Sequence, residues 1–187
     1  MPKSQTRRKP VVGVMGGSSV GPEVERMANQ LGGLIAQRGW VLLNGGRKKG
    51  VMAASAKGAK AAGGLVIGIL PGATSKGASP DLDVAIITGM GDARDAINVL
   101  SSDVVIVCPG ALGTIAELAL ALKAGKRVIL LGRPVKPEFE RYRRRGQLTQ
   151  AQTPEEAVNQ AAEVMARTHS EDRTVMRKRP APRAENR

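Results

Sequence analysis

Arg94, Thr114 and Glu117 are the residues of this sequence best suited to chemistry on a small anion. The stretch Asp103–Glu117 reads Asp-Val-Val-Ile-Val-Cys-Pro-Gly-Ala-Leu-Gly-Thr-Ile-Ala-Glu, an apolar strand that breaks into a turn and then a helix. Thr114 falls in the first helical turn, where its hydroxyl and amide can meet a phosphate, and Glu117 lies one turn later on the same face. A carboxylate beside an anion site is not there for the phosphate. It can meet a hydroxyl, a ring nitrogen, a water molecule or a developing positive charge. Arg94, in Gly91-Asp92-Ala93-Arg94-Asp95, begins another helix and can offer its fork to phosphate or to Glu117. A purely structural Arg94–Glu117 salt bridge is the alternative.

These residues need a scaffold that brings strand ends together. Apolar runs of strand length, Val11–Gly16, Trp40–Leu43, Leu65–Leu70, Val84–Ile87, Asp103–Cys108 and Arg127–Leu131, alternate with helical segments Pro22–Arg38, Gly50–Ala62, Asp92–Leu100 and Gly113–Ala124. That alternation predicts an α/β fold: a Rossmann-like, doubly wound parallel sheet of about six to seven strands with helices on both faces. In such a sheet the ligand crevice lies beyond the carboxyl ends of the strands. The glycine-bearing turns all fall at that edge. They are Gly16-Gly17-Ser18-Ser19, Gly45-Gly46-Arg47 leading to Gly50, Pro71-Gly72, Thr88-Gly89-Met90-Gly91, and Gly110 through Gly113-Thr114.

Glycines there let backbone N–H groups approach a phosphate, and each following helix adds its positive end. Any one strand-to-helix turn can require glycine for local reasons alone; five on one edge favour a phosphate-bearing small molecule. Neither Gly-x-Gly-x-x-Gly after the first strand nor a glycine loop ending in Gly-Lys-Ser/Thr is present, which removes the main support for dinucleotide dehydrogenases and Walker-type ATPases.

Composition bounds the alternatives. The chain has 187 residues, 42% hydrophobic and only 2% aromatic, enough for one core of Val, Ile, Leu, Ala and Met. One domain is expected over 11–167, between a basic N-terminal tail, 1–10, and a basic, disordered C-terminal tail, 168–187. Residues 1–10 and 167–187 supply +8 of the formal +13 charge, so specific nucleic-acid binding is not expected. Cys108 and His169 each stand alone, leaving no protein-ligated metal site. No apolar run spans a bilayer and no secretory signal is seen, so a cytoplasmic protein without membrane contact is expected. Arg133–Gly146 reads as a surface excursion. Thr153-Pro154-Glu155-Glu156 reads as a capping box opening a final helix to about Arg167. Leu118-Ala119-Leu120-Ala121-Leu122 is apolar all round, which calls for cover by a second copy of the chain or by the terminal helix.

The stretch Pro109–Glu117 resembles the P-G-G-x-G-T-x-x-E motif of the LONELY GUY family of nucleoside 5′-monophosphate phosphoribohydrolases. That likeness implies Arg94 and Glu117 as a catalytic pair and Gly110, Gly113 and Thr114 as a phosphate cradle. Ala111 and Asp95 depart from the hydrolase pattern.

A longer likeness, over Val11–Gly132, is to the molybdenum cofactor carrier proteins of the same superfamily. It runs through Gly13-Val14-Met15-Gly16, Gly45-Gly46-Arg47, Gly50-Val51-Met52, Ile69-Leu70-Pro71-Gly72, Ala93-Arg94-Asp95, Asn98 and Ala119–Ala124. It implies a homo-oligomer, dimer or tetramer, that binds molybdenum cofactor (molybdopterin) without turnover, with a molybdoenzyme or cofactor-synthesis protein as partner. The expected cofactor site is Gly16, Gly17, Ser18, Ser19, Gly45, Gly46, Arg47, Gly50, Pro71, Gly72, Arg94, Gly110, Gly113, Thr114 and Glu117. A phosphoribohydrolase and a nucleotide-sensing module are the alternatives.

Overall fold

The computed structural model describes residues 8–177, with side chains for 8–167. Seven parallel strands form one sheet in the order β4-β3-β2-β1-β5-β6-β7. They are β1 (Val11–Met15), β2 (Val41–Asn44), β3 (Leu65–Leu70), β4 (Val84–Ile87), β5 (Val104–Val107), β6 (Arg127–Leu131) and β7 (Leu148–Ala151). The chain winds outward from β1 to β4, then returns to the other side of β1 at β5. The loops leaving β1 and β5 therefore diverge, and a crevice opens between them.

The central strands are buried along their length, as a sheet covered on both faces requires. One face carries α1 (Pro22–Gln37), α2 (Gly50–Ala61) and α6 (Pro154–Arg177) over Val12, Val14, Leu42, Ile106 and Ile129. The other carries α3 (Asp95–Ser101) and α4 (Leu112–Lys123) over Met15, Val105, Val107, Val128 and Leu130. Alternate residues of each strand feed the two cores. Helices α1 and α2 touch backbone to backbone: a Cβ on Gly32 would lie 2.0 Å from the Ser55 carbonyl oxygen and one on Gly58 1.8 Å from that of Asn29.

Six expected strands form within a residue of their expected ends. β7 was not located in the sequence because Leu-Thr-Gln-Ala buries only its ends, too short an alternation to register. The excursion after β6 contains a 3-10 turn at Pro137–Phe139 and the short α5 (Glu140–Arg144), and Phe139 packs into the core over α4. The helix expected over Asp92–Leu100 begins as a 3-10 turn, Gly91–Arg94, before α3. α6 runs to Arg177, past the end expected at Arg167; no glycine or proline intervenes before Pro180. The basic stretches 1–7 and 178–187 lie outside the described residues. Arg8, still within the expected tail, pairs with Asp103 at 2.7 Å.

Leu118, Ala121 and Leu122 are covered by their own chain, in the core with Val105, Val128 and Phe139, whereas α6 sits on the opposite face of the sheet. The terminal helix is thus not the cover of α4. Outward, Leu112, Ala116 and Ala119 are exposed.

Candidate functional site

The turns after β1 and β5 meet at the crevice. The Gly17 N–H donates to the Pro109 carbonyl at 3.0 Å, and the Val51 N–H of α2 donates to the Gly17 carbonyl at 3.0 Å. Three loops are thereby tied into one floor. Two glycines are required by contact. A Cβ on Gly110 would lie 2.1 Å from the Thr114 hydroxyl and 2.6 Å from the Gly17 nitrogen. Gly50, at φ +51°, leaves only 2.3 Å from a Cβ to the Gly17 carbonyl oxygen. α1, α2 and α4 each start without a side-chain cap, so first-turn N–H groups, apart from that of Val51, are left as donors at this edge.

A cleft of about 300 Å³ opens above this floor. The β1 turn contributes Gly16, Gly17 and Ser18; the β2 turn contributes Gly45 and Arg47; α4 contributes Gly113, Thr114 and Glu117; and Arg94 enters from the 3-10 turn. Nine of the expected residues therefore line one cavity. Gly46, Gly50 and Gly110 lie behind it as spacers, at contacts with Gly68, Gly17 and Thr114. Ser19 is exposed beyond the rim, and Pro71 and Gly72 line a neighbouring cleft that shares Arg47. Met52, Asp92, Asp95 and Ala116 also line the cavity and were not expected there. Asp92 and Asp95 flank Arg94 in one helical turn, a spacing that could have marked them.

Arg94 and Glu117 form the buried ionic centre. Their side chains are 9% and 11% exposed, with Nη1 and Oε1 3.7 Å apart, and Arg94 also pairs with Asp95. Burial pushes the Glu117 carboxyl up to about 7, against the opposing pull of Arg94 and, less, of Asn98. Asn98 faces Glu117, but no hydrogen bond of ordinary geometry joins them, since both amide atoms of Asn98 lack partners. Burial lowers the pKa of the Arg94 guanidinium; Glu117 resists this shift and Arg47 adds to it. Arg94 Nε is buried without a hydrogen-bond partner among the described residues. A salt bridge thus links Arg94 and Glu117, and both line the cleft.

Residues 9–158 match the model of the SLOG cluster4 family. The chain belongs to that family. Among solved structures, this SLOG cluster4 member is similar to the molybdenum cofactor binding protein from Rippkaea orientalis, 48% identical with a TM-score of 0.80, covering 84% of this chain and 98% of that one. It is similar also to the molybdenum cofactor carrier protein from Chlamydomonas reinhardtii, 44% identical with a TM-score of 0.76, covering 85% and 99% of the two chains. The likeness to carriers read from the sequence is borne out. The cytokinin riboside 5′-monophosphate phosphoribohydrolase of Mycobacterium tuberculosis matches at 38% identity over 98 residues, 51% of this chain and 52% of that one. That alignment spans about half of each protein. No helix among the described residues is long and apolar enough to cross a membrane.

Proposed function

We propose that this protein holds the phosphorylated pterin of molybdenum cofactor and hands it on unchanged. The observation carrying this reading is the floor at the switch point, where Gly17 and Gly110 abut and the uncapped start of α4 offers its amides beside Thr114. A phosphate above this floor gains several N–H donors and the positive end of a twelve-residue helix. The buried, unpartnered Nε of Arg94 fits a further ligand oxygen. The identity of 44–48% to carrier proteins over most of both chains supports the pterin as the phosphate's bearer. The metal would arrive with the pterin, which needs no protein ligand.

Delivery would be to a molybdoenzyme or a protein of cofactor synthesis, in the cytoplasm. A second copy of the chain would cover the outer face of α4, where Leu112 is 82% exposed, and Leu100 of α3, which is 61% exposed. The test is pterin fluorescence released on denaturing protein made in a cofactor-producing host. Absence of pterin, together with failure to take up added cofactor, removes the reading.

One observation favours hydrolysis of a nucleoside 5′-monophosphate instead. A carboxyl held near pH 7 beside an arginine, in a cleft with a phosphate floor, is poised for proton transfer or for stabilising a cationic sugar. Incubation with AMP divides the two readings: free adenine at a rate abolished by Glu117→Gln supports the enzyme, and unchanged AMP at high protein concentration supports the carrier.

A further inference from the structure

The cleft beside the glycine floor differs from it in charge. Arg47, Lys48, Lys49 and Lys76 line a cavity of about 310 Å³ together with Pro71, Gly72, Thr74 and Gly77. No carboxylate lines it, and none of these four cations has an ion-pairing carboxylate among the described residues. The loop 71–79 itself contains no acidic residue.

The glycine cleft has the opposite balance, with Arg47 and Arg94 set against Asp92, Asp95 and Glu117. Its attraction for a phosphate comes from backbone dipoles. The unneutralised positive charge lies next door, and Arg47 lines both cavities. Four like charges around one hollow repel one another, and an anion between them relieves that repulsion.

The basic cleft is also held in shape. The Lys48 N–H donates to the Gly77 carbonyl at 3.1 Å and the Ser79 N–H to the Gly46 carbonyl at 2.8 Å, which clamps the loop to the β2 turn. The Gly89 and Gly91 N–H groups donate to the Gly72 and Pro71 carbonyls at 3.0 and 2.9 Å. The same loop is thereby joined to the 3-10 turn that carries Arg94. Backbone bonds thus fix the basic cleft relative to the glycine floor.

We propose that the basic cleft is a second oxyanion subsite, so that one ligand is held by two separated anionic groups: a phosphate over the glycine floor, and a second phosphate or an oxometalate group beyond Arg47. The proposal rests on the reading that the glycine floor holds a phosphate. A ligand with one anionic group would leave Lys48, Lys49 and Lys76 unused. A diphosphate-linked or metal-bearing ligand uses them.

The test is calorimetric titration of the full-length protein at low ionic strength with inorganic phosphate and with molybdate. Three variants are compared with wild type. The triple variant Lys48→Ala/Lys49→Ala/Lys76→Ala removes exposed side chains only. Gly113→Asp puts a carboxylate at the first turn of α4, where a Cβ meets nothing within 4 Å. Lys123→Ala/Lys136→Ala/Arg145→Ala is the charge-matched control, all three being exposed away from both clefts.

Two anions per chain are expected for wild type and control, and one for each of the other variants. A triple variant that keeps two sites, or a wild type that binds only one anion and loses it in Gly113→Asp, overturns the basic subsite. A single anion lost in the triple variant but kept in Gly113→Asp overturns the phosphate reading of the glycine floor and with it the two-group ligand. No binding at all overturns both. GMP and GDP then distinguish the sources. Roughly tenfold tighter GDP binding that disappears in the triple variant marks a diphosphate, and a similar preference for molybdate over phosphate at the lysine-dependent site marks an oxometalate.

Discussion

Replacing Glu117 by glutamine should stabilise the protein at alkaline pH and leave it unchanged in acid. A partnered surface carboxylate normally has a lowered pKa and costs stability as pH falls. Glu117 behaves in the reverse sense, because burial lifts its carboxyl from 4.5 to about 7. Below 4.5 the group is protonated in both the folded and the unfolded chain and contributes nothing. Between 4.5 and 7 the unfolded chain releases the proton while the folded chain keeps it, so stability falls as pH rises. Above about 7 the full cost is present. A tenfold change in proton affinity is worth about 1.4 kcal/mol, so that cost is about 3 kcal/mol.

Glutamine carries no charge to desolvate, and Arg94 keeps Asp95 as its partner, so the variant does not strand a buried cation. Urea unfolding of both proteins at intervals from about pH 5 to about pH 8.5 reads the effect directly. The gap should open with pH, with glutamine the more stable at the top of the range. Sulfate, which stays doubly charged throughout, should also bind wild type more tightly below pH 7 than above it, and the variant equally at both. Parallel stability curves for the two proteins, or a variant weaker at every pH, would refute the argument that burial dominates this carboxyl.

Gly110→Ala must move either the Thr114 hydroxyl or the Gly17 backbone; a stability loss of about 1–3 kcal/mol and weakened anion binding are expected, read by urea unfolding and calorimetry. Gly58→Ala, whose Cβ would meet the Asn29 carbonyl, should cost a similar amount but leave anion affinity unchanged, since it separates α1 from α2 away from the cleft. Cys108 is fully buried and its thiol is pushed up to about 12, so a thiol reagent should label it only as fast as the protein unfolds; rapid labelling of native protein would contradict its placement in the core. Leu112→Asp adds an acid at the start of α4 and removes a large apolar side chain that is 82% exposed; if a second copy covers this face, light scattering should report a smaller assembly with the helix content intact.

The parts of this protein legible in its sequence are those where one residue type has a single physical use. Uninterrupted, β-branched Val-Val-Ile-Val in β5, closed by Pro-Gly, reads as a strand buried on both faces, and the glycines that follow the inner strands mark where backbone must meet backbone. Those signals locate the edge of the sheet, because parallel strands put all their carboxyl ends on one side. They do not reveal which turns become neighbours. That depends on strand order: β5 returns beside β1, so the Gly16–Ser18 and Gly110–Thr114 turns share a wall although nearly a hundred residues separate them, while Pro71-Gly72, two strands away, opens onto a different hollow. Polar strands such as Leu-Thr-Gln-Ala escape notice because β7, at the sheet margin, buries too little to need an apolar run. Charge is the least legible property of all. Lys48, Lys49 and Lys76 look like ordinary surface lysines along the chain, and it is the backbone clamp between the β2 turn and the loop 71–79 that gathers them with Arg47 around one cavity. A glycine turn therefore announces that something approaches the backbone, but what approaches it is decided by side chains that the fold brings in from elsewhere.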